Sequence, residues 1–210
     1  VRLHTTIVSY NRLELLKRTL NSYGETVTLP FWLVVVDNAS DEKTRRYLEA
    51  AFSDGFVDEL VFFPENRYPG AAANQGFELA PEDATLLHRS DNDMEYLPGW
   101  CDEVAERFED PQLWQLGLRT LEEEGPHPNV GGNCILRREA YDAGLRYSEE
   151  PWSKVPFEDA KFSSQVRRAG KLLGRVQRPC VVHIGLAHRD DPYYQETFRV
   201  RNITFEQYGL

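Results

Sequence analysis

Two carboxylates one residue apart, in Arg89-Ser90-Asp91-Asn92-Asp93, follow directly on an apolar run. Set on a turn at the end of a strand, Asp91 and Asp93 offer hard oxygen ligands to Mg²⁺ or Mn²⁺. Mg²⁺ takes one or two protein carboxylates and completes its shell with water and substrate phosphates, which fits a diphosphate leaving group. The same residues could equally form a plain turn with Asn92. A second acidic pair, Glu158-Asp159, stands before a helical stretch at residues 160–169 and after a loop holding Pro151, Trp152 and Pro156. Acidic residues there suit a helix start through the macrodipole or an acid–base couple, and Trp152 suits the apolar face of a sugar acceptor. His183 and His188 flank residues 184–187. Each is either a satisfied structural histidine or a metal ligand, and a neutral imidazole suits Mn²⁺ better than Mg²⁺. Gly131-Gly132-Asn133, and Gly70 in Pro69-Gly70-Ala71-Ala72-Ala73-Asn74, mark ordinary turns or places where backbone approaches a substrate closely.

Positioning these groups requires a scaffold, and the first half of the chain supplies an alternating one. Residues 3–9 read as a buried strand stopping at Tyr10-Asn11, and residues 13–23 place Leu13, Leu16, Leu20 and Tyr23 on one helical face. A second β-rich run at 31–36 ends at Asp37; a helical pattern at 40–52 follows, with Ser40 and Asp41 as caps. Strands at 57–63 and 85–88 bracket a helix at 71–79. This order predicts an α/β fold with a mainly parallel central sheet flanked by helices. Ligands then bind at the carboxyl ends of the strands, where Ser9 to Asn11, Asp37-Asn38 and Ser90 to Asp93 gather on one rim. Beyond residue 100 a helix at 100–108 is clear, residues 121–129 read as an exposed turn or loop, and residues 180–182 are β-like. No repeat or linker divides the chain, so a single domain over 1–210 is expected.

Composition narrows the function classes. The 24 Lys and Arg against 34 Asp and Glu give a formal charge of −10, which disfavours a general nucleic-acid binder. No apolar run approaches the ~18 residues needed to span a bilayer. Peripheral membrane contact stays open. No basic, then apolar, then small-residue leader pattern is present, and Cys101, Cys134 and Cys180 form no C-x-x-C pair. Free thiols and a cytoplasmic setting are expected. No Gly-Lys-Ser/Thr follows Gly70, and no G-x-G-x-x-G follows the first strand, so ATPase and dinucleotide readings lose their main supports.

Taken in order, these segments resemble the inverting family 2 glycosyltransferases with the GT-A fold. Val8-Ser9-Tyr10-Asn11-Arg12 is similar to that family's opening segment, and Val34 through Asp37-Asn38-Ala39-Ser40-Asp41 to its second-strand signature. Glu65-Asn66-Arg67 through Gly70 to Asn74-Gln75-Gly76 matches the next block, and Asp91-Asn92-Asp93 with Pro98-Gly99-Trp100 the D-x-D region. Gly131-Gly132-Asn133, Arg137-Arg138-Glu139, Glu158-Asp159, Arg167-Arg168-Ala169-Gly170 and Arg201-Asn202 continue the resemblance over nearly the whole chain.

The resemblance implies roles. Asp37 would recognise the nucleotide base, with Ser9, Tyr10, Asn11 and Arg12 lining its pocket and Asn66, Gly70, Asn74, Asn92 and Gly132 near the nucleotide sugar. Asp93 would bind a divalent cation, Mn²⁺ or Mg²⁺, with Asp91 helping to hold it and touching the donor, and with His183 (or His188) as a further ligand. Asp159 would be the general base, Glu158 its partner and Trp152 an acceptor contact. Residues 1–100 would then bind the nucleoside-diphosphate sugar, a UDP-sugar being the favoured donor. Residues 101–210 would bind the acceptor, whether a saccharide, a lipid-linked glycan or another hydroxyl compound, and residues 121–129 and 146–157 would select it. Two departures stand out: Lys161 follows the Glu-Asp pair where relatives carry another acid, and Ala72-Ala73 stand where relatives often place an arginine. Charge neutralisation would then fall to the metal and to Arg67 or Arg89. No Q-x-x-R-W motif appears, which favours transfer of a single sugar. The alternatives are a sugar-nucleotide nucleotidyltransferase and a silent nucleotide-sugar or carbohydrate-binding domain.

Overall fold

The structure is a computed structural model that describes residues 1–122, 130–187 and 190–202. The first half follows the expected alternation: β1 (Leu3–Ser9), α1 (Leu13–Thr26), β2 (Phe31–Asp37), α2 (Glu42–Ser53), β3 (Glu59–Phe62), α3 (Tyr68–Glu78) and β4 (Leu86–Asp91). Then come β5 (Met94–Tyr96), α4 (Trp100–Arg107), β6 (Leu113–Gly117), β7 (Cys134–Arg137), α5 (Arg138–Asp142), α6 (Glu158–Arg168), β8 (Leu172–Arg175), β9 (Val181–His183) and α7 (Pro192–Arg201). Three boundaries differ informatively from the sequence pattern. Helix α3 starts at Tyr68 because Pro69 is accommodated in a first helical turn, where no backbone donor is needed. Strand β3 begins only at Glu59. Glu158 and Asp159 belong to the first turn of α6 rather than preceding it.

Seven strands form one sheet in the order β3-β2-β1-β4-β7-β6-β8. Strands β3, β2, β1 and β4 run parallel, and β7 is antiparallel to both β4 and β6. The sheet is therefore continuous through both halves of the chain. Helices cover both faces, because central strands such as β1 are buried at every position and are mostly apolar or β-branched, with His4 and Ser9 the exceptions in β1. One apolar layer gathers Leu16, Leu20, Tyr23, Trp100 and Val104. The other gathers Ala71, Ala72, Ala73, Phe77, Phe162 and Val166. All three cysteines are free and buried. Among the described residues no helix is long and apolar enough to cross a membrane.

Register fixes the site. Ser9 pairs with Asp37 and Val8 with Asp91, so β1, β2 and β4 end at one level. The two-stranded ribbon of β5 and β9 pairs Met94 with His183, bringing His183 beside Asp93 from the far end of the chain.

Candidate active site

At the carboxyl rim a cleft is lined by Tyr10 and Arg12 after β1, Asn38 after β2, Asn66, Tyr68 and Pro69 before and within α3, and Arg89, Asp91, Asn92 and Asp93 at the end of β4. Trp152, His183, and Tyr194, Thr197 and Arg201 of α7 complete it. Four non-glycine residues at this rim, Asn11, Arg12, Ala39 and Tyr68, take φ between 53° and 66°. Each such left-handed residue costs about 1 kcal/mol or more, and such strain concentrates where side chains must be aimed. Arg12 shows the effect, since the left-handed cap of α1 directs its guanidinium to Asp93 Oδ2 at 2.8 Å.

Asp93 is the most heavily engaged acid of the cleft. Its Oδ2 accepts from Arg12, from Tyr194 Oη at 2.6 Å, and lies 3.0 Å from His183 Nε2. Burial works to raise this carboxyl, but His183 first, then Arg12 and Tyr194, hold it well below the usual carboxylate range. Asp93 Oδ1, by contrast, is buried with no hydrogen-bond partner among the described residues. An ionised carboxylate with an unsatisfied buried oxygen beside an imidazole is a donor set that fits a divalent cation. Among the described residues no three His, Cys, Asp or Glu side chains cluster as a complete cage. A cation held here would share its shell with a substrate diphosphate, as Mg²⁺ and Mn²⁺ readily do. Asp91 lies 3.5 Å from Arg89 and is pushed upward by burial, which Arg89 partly offsets.

A second carboxylate group lies behind the cleft wall, joined to it through Arg89. Glu158 Oε1 accepts from Arg89 Nη2 at 2.8 Å, and Oε2 accepts from Trp152 Nε1 at 3.2 Å with Arg201 at 3.9 Å. Burial would raise Glu158, but Arg89 and then Arg201 outweigh it and leave the carboxyl below its ordinary value. Asp159 is raised, by burial first and by the neighbouring Glu158 charge next. A carboxylate of raised proton affinity is what general-base work at neutral pH requires. Arg89, Trp152 and Arg201, the side chains around Glu158, line the cleft directly, whereas Glu158 and Asp159 do not.

Several sequence-predicted residues serve the rim from behind. Ser9 and Asp37 are fully buried, and Asp37 accepts from the backbone and the hydroxyl of Ser40, closing the turn after β2. Asn11 ties that turn to the β1 exit: its backbone donates to Ser40 Oγ and its Oδ1 accepts from Asp41. Asn74 is no open donor contact, because its amide exchanges hydrogen bonds with the Tyr147 backbone and donates to Glu149. A Cβ on Gly70 would stand 2.0 Å from the Ser148 carbonyl oxygen, so glycine there permits packing against backbone rather than substrate. Gly132 is different, since a Cβ would stand 2.8 Å from Asp91 Oδ2 and 3.2 Å from Arg89 Nη2. Trp152 is buried, with Arg201 4.0 Å above its ring, and so is not an open stacking platform. Arg67 pairs with Glu149 at 3.1 Å and does not line the cleft. Ala72 and Ala73 are fully buried in the apolar layer, where an arginine has no room. His188 and residues 123–129 lie outside the described residues. Asn38 lines the cleft as the strand-end rim implies, and Tyr68, Tyr194 and Thr197 line it although their sequence context carries no such signal.

Comparison with solved structures finds the same GT-A architecture over most of the chain. A structure of S. aureus TarS matches with a TM-score of 0.68 and 16% identity, over 95% of this chain and 42% of that one. TarS 1–349 in complex with UDP matches with a TM-score of 0.70 and 15% identity, over 96% of this chain and 70% of that one. The mannosyltransferase PcManGT from Pyrobaculum calidifontis, in complex with GDP-Man and Mn²⁺, matches with a TM-score of 0.65 and 19% identity, over 84% and 54%. The chain thus spans less than half of the first TarS structure. A search of curated proteins finds no match. Residues 6–126, more than half of the chain, match the model of "Glycosyl transferase family 2", and with the strand-end acids and the sheet order in place the chain belongs to that family.

Proposed function

We propose that this chain is a metal-dependent, inverting glycosyltransferase that moves one sugar from a nucleoside-diphosphate sugar, a UDP-sugar being favoured, to an acceptor hydroxyl. One observation carries the reading: the cleft holds Asp91, Asp93 and His183 at one corner, and Arg89 in its wall joins Asp91 to Glu158 of the Glu158-Asp159 pair just behind it. Support for the donor class comes from the TarS complexes with UDP and UDP-GlcNAc and the PcManGT complex with GDP-Man and Mn²⁺.

In this mechanism the first half of the chain holds the donor, with Tyr10, Asn38 and Asn66 facing the nucleotide and Asp91 facing its ribose or sugar. Asp159 takes the proton of the acceptor hydroxyl as that oxygen attacks the anomeric carbon. The nucleoside diphosphate leaves from the opposite face of the sugar, so a single displacement inverts the anomeric centre. Asp93 and His183, with Asp91 beside them, would hold a divalent cation, which would supply Lewis-acid neutralisation of the charge on the diphosphate. Arg12 and Tyr194 hold the Asp93 carboxylate in place, and Tyr194, Thr197 and Arg201 of α7 cover the cleft and limit water.

The test is incubation with a panel of UDP-, GDP- and dTDP-sugars and Mn²⁺, following nucleoside diphosphate released with and without candidate hydroxyl acceptors. Release that depends on a nucleotide sugar is expected. Pyrophosphate formed from a nucleoside triphosphate and a sugar phosphate would identify a nucleotidyltransferase instead. A ligand-dependent rise in melting temperature without product would identify a silent binder.

A further inference from the structure

Arg89 is an unusual residue for its place. It lies on β4, in the middle of the sheet, two positions from Leu87, which belongs to the apolar layer under α3 and α6. Its side chain is 2% exposed. A guanidinium cannot shed its proton, so burial there demands compensation. Two carboxylates provide it through one nitrogen: Nη2 donates to Glu158 Oε1 at 2.8 Å and stands 3.5 Å from Asp91 Oδ1. The face of Tyr147 lies 4.7 Å from Cζ. Nε and Nη1 are buried with no hydrogen-bond partner among the described residues, so stability alone does not account for an arginine at this position. An apolar side chain would satisfy the layer better, since replacing a buried ion-pair network by well-packed apolar residues is often neutral or stabilising. Local backbone also makes room for that nitrogen, because a Cβ at Gly132 would crowd both Arg89 Nη2 and Asp91 Oδ2.

We infer that Arg89 is a positioning residue for sugar transfer: its Nη2, shared by Asp91 and Glu158, sets the spacing between the donor side of the cleft and the Glu158-Asp159 pair. The inference rests on the glycosyltransferase reading and adds a residue to it. Asp91 ends a strand and Glu158 begins a helix, and Arg89 is the side chain hydrogen-bonded to both. Arg89 acts through Glu158, not by direct contact with the reacting atoms.

A double-mutant cycle on the full chain tests this, using Arg89→Met, Glu158→Gln and the double variant. The readouts are kcat at saturating donor and calorimetric binding of UDP with Mn²⁺. Because a displacement of about 1 Å in a reacting geometry can cost about 100-fold, Arg89→Met is expected to lower kcat by about that factor. UDP binding should stay within about threefold, and in the Glu158→Gln background Arg89→Met should lower kcat by no more than about threefold further. Arg89→Lys, which keeps the charge but loses the fork, should recover part of kcat. Losses that multiply in the double variant would overturn the inference, as would an Arg89→Met enzyme of near-normal kcat. If Arg89→Met does not fold, Arg89→Lys replaces it in the same cycle with the same criteria. Wild-type protein that transfers no sugar would sink the proposed function and the inference together; active wild type with additive losses would sink the inference alone.

Discussion

Two buried histidines make the stability of this fold sensitive to mild acid. His4 and His88 are both fully buried on adjacent central strands, and burial lowers each from 6.5 to about 4. The hydrogen bonds agree with neutral rings. His4 Nε2 donates to the Gly76 carbonyl at 2.8 Å, while its Nδ1 is buried without a partner among the described residues. His88 Nε2 donates to Asn133 Oδ1 at 2.9 Å, and its Nδ1 faces the Thr5 hydroxyl at 3.2 Å. A second proton on His4 would have no acceptor among the described residues, and one on His88 would charge a fully buried ring with only the Thr5 hydroxyl to receive it. The folded pKa is depressed in each case, so below pH 6.5 the unfolded chain binds protons that the folded chain refuses, and stability falls with pH down to about pH 4. Linkage gives a loss of about 1.5 kcal/mol for each histidine between pH 6.5 and pH 5, or about 3 kcal/mol together. His183 has the opposite sign. Burial opposes its charge, but Asp93 outweighs burial and raises it. Its contribution is therefore present below its unfolded value and lost as pH rises through its folded one, which leaves it nearly constant over this window. Urea unfolding at pH 6.5 and pH 5, for wild type and for His4→Gln and His88→Gln, measures the effect, and each substitution should remove about half of the pH-dependent loss. A stability level to within about 1 kcal/mol across the window, or a loss that neither substitution reduces, would refute the reasoning.

Asp159→Asn should keep UDP and Mn²⁺ binding while transfer falls by about 100-fold or more, read as initial rate at saturating donor; near-normal turnover would remove Asp159 as the base. UDP and Mn²⁺ should each tighten the other's binding by the same factor in calorimetry, and Asp93→Ala should abolish that coupling; equal Mn²⁺ affinity with and without UDP would count against a shared site. Gly132→Ala, whose new Cβ would stand 2.8 Å from Asp91 Oδ2, should fold but raise the donor KM and lower kcat. Unchanged kinetics in that variant would mean that Asp91 shifts freely.

The first half of the fold was legible because its strands are long and buried on both faces and its helices carry clear apolar stripes. Residues 3–9 and 31–37 could hardly be anything but central strands. Strands β5, β6, β7 and β8 escaped pattern reading for the opposite reason: they run only three to five residues, and β8 is partly exposed. Asp91 and Asp93 could be picked out because a polar pair at a strand exit has one rim to occupy. The setting of Asp37 was hidden, since nothing in Asp37-Asn38-Ala39-Ser40 says that Ser40 takes both carboxylate oxygens. Left-handed backbone at Asn11, Arg12, Ala39 and Tyr68 was equally invisible, because none of these is glycine. Tyr194 and Arg201 reach Asp93 and Glu158 only through long-range packing of α7, which no local signal encodes.

Charge arithmetic in the cleft explains why a chain with a formal charge of −10 need not present a strongly negative site. Asp91, Asp93, Glu158 and Asp159 contribute four carboxylates, and Arg12, Arg89 and Arg201 stand against them. Asp191, 3.4 Å from Arg12, is a fifth carboxylate, so with His183 neutral and Asp159 ionised, 3 − 5 leaves two negative charges. A diphosphate arriving alone would add about two negative charges to a low-dielectric cleft, whereas a diphosphate with a divalent cation arrives nearly neutral. The arginines are thus committed to the protein's own acids, with Arg12 on Asp93 and Arg89 on Glu158. On the proposed mechanism the acids left to serve a substrate are Asp93, whose buried Oδ1 has no hydrogen-bond partner among the described residues, and the raised Asp159. On the proposed mechanism, protein cations fix acids that would in turn hold a metal and accept a proton, which is why Arg89 is expected to affect turnover more than binding.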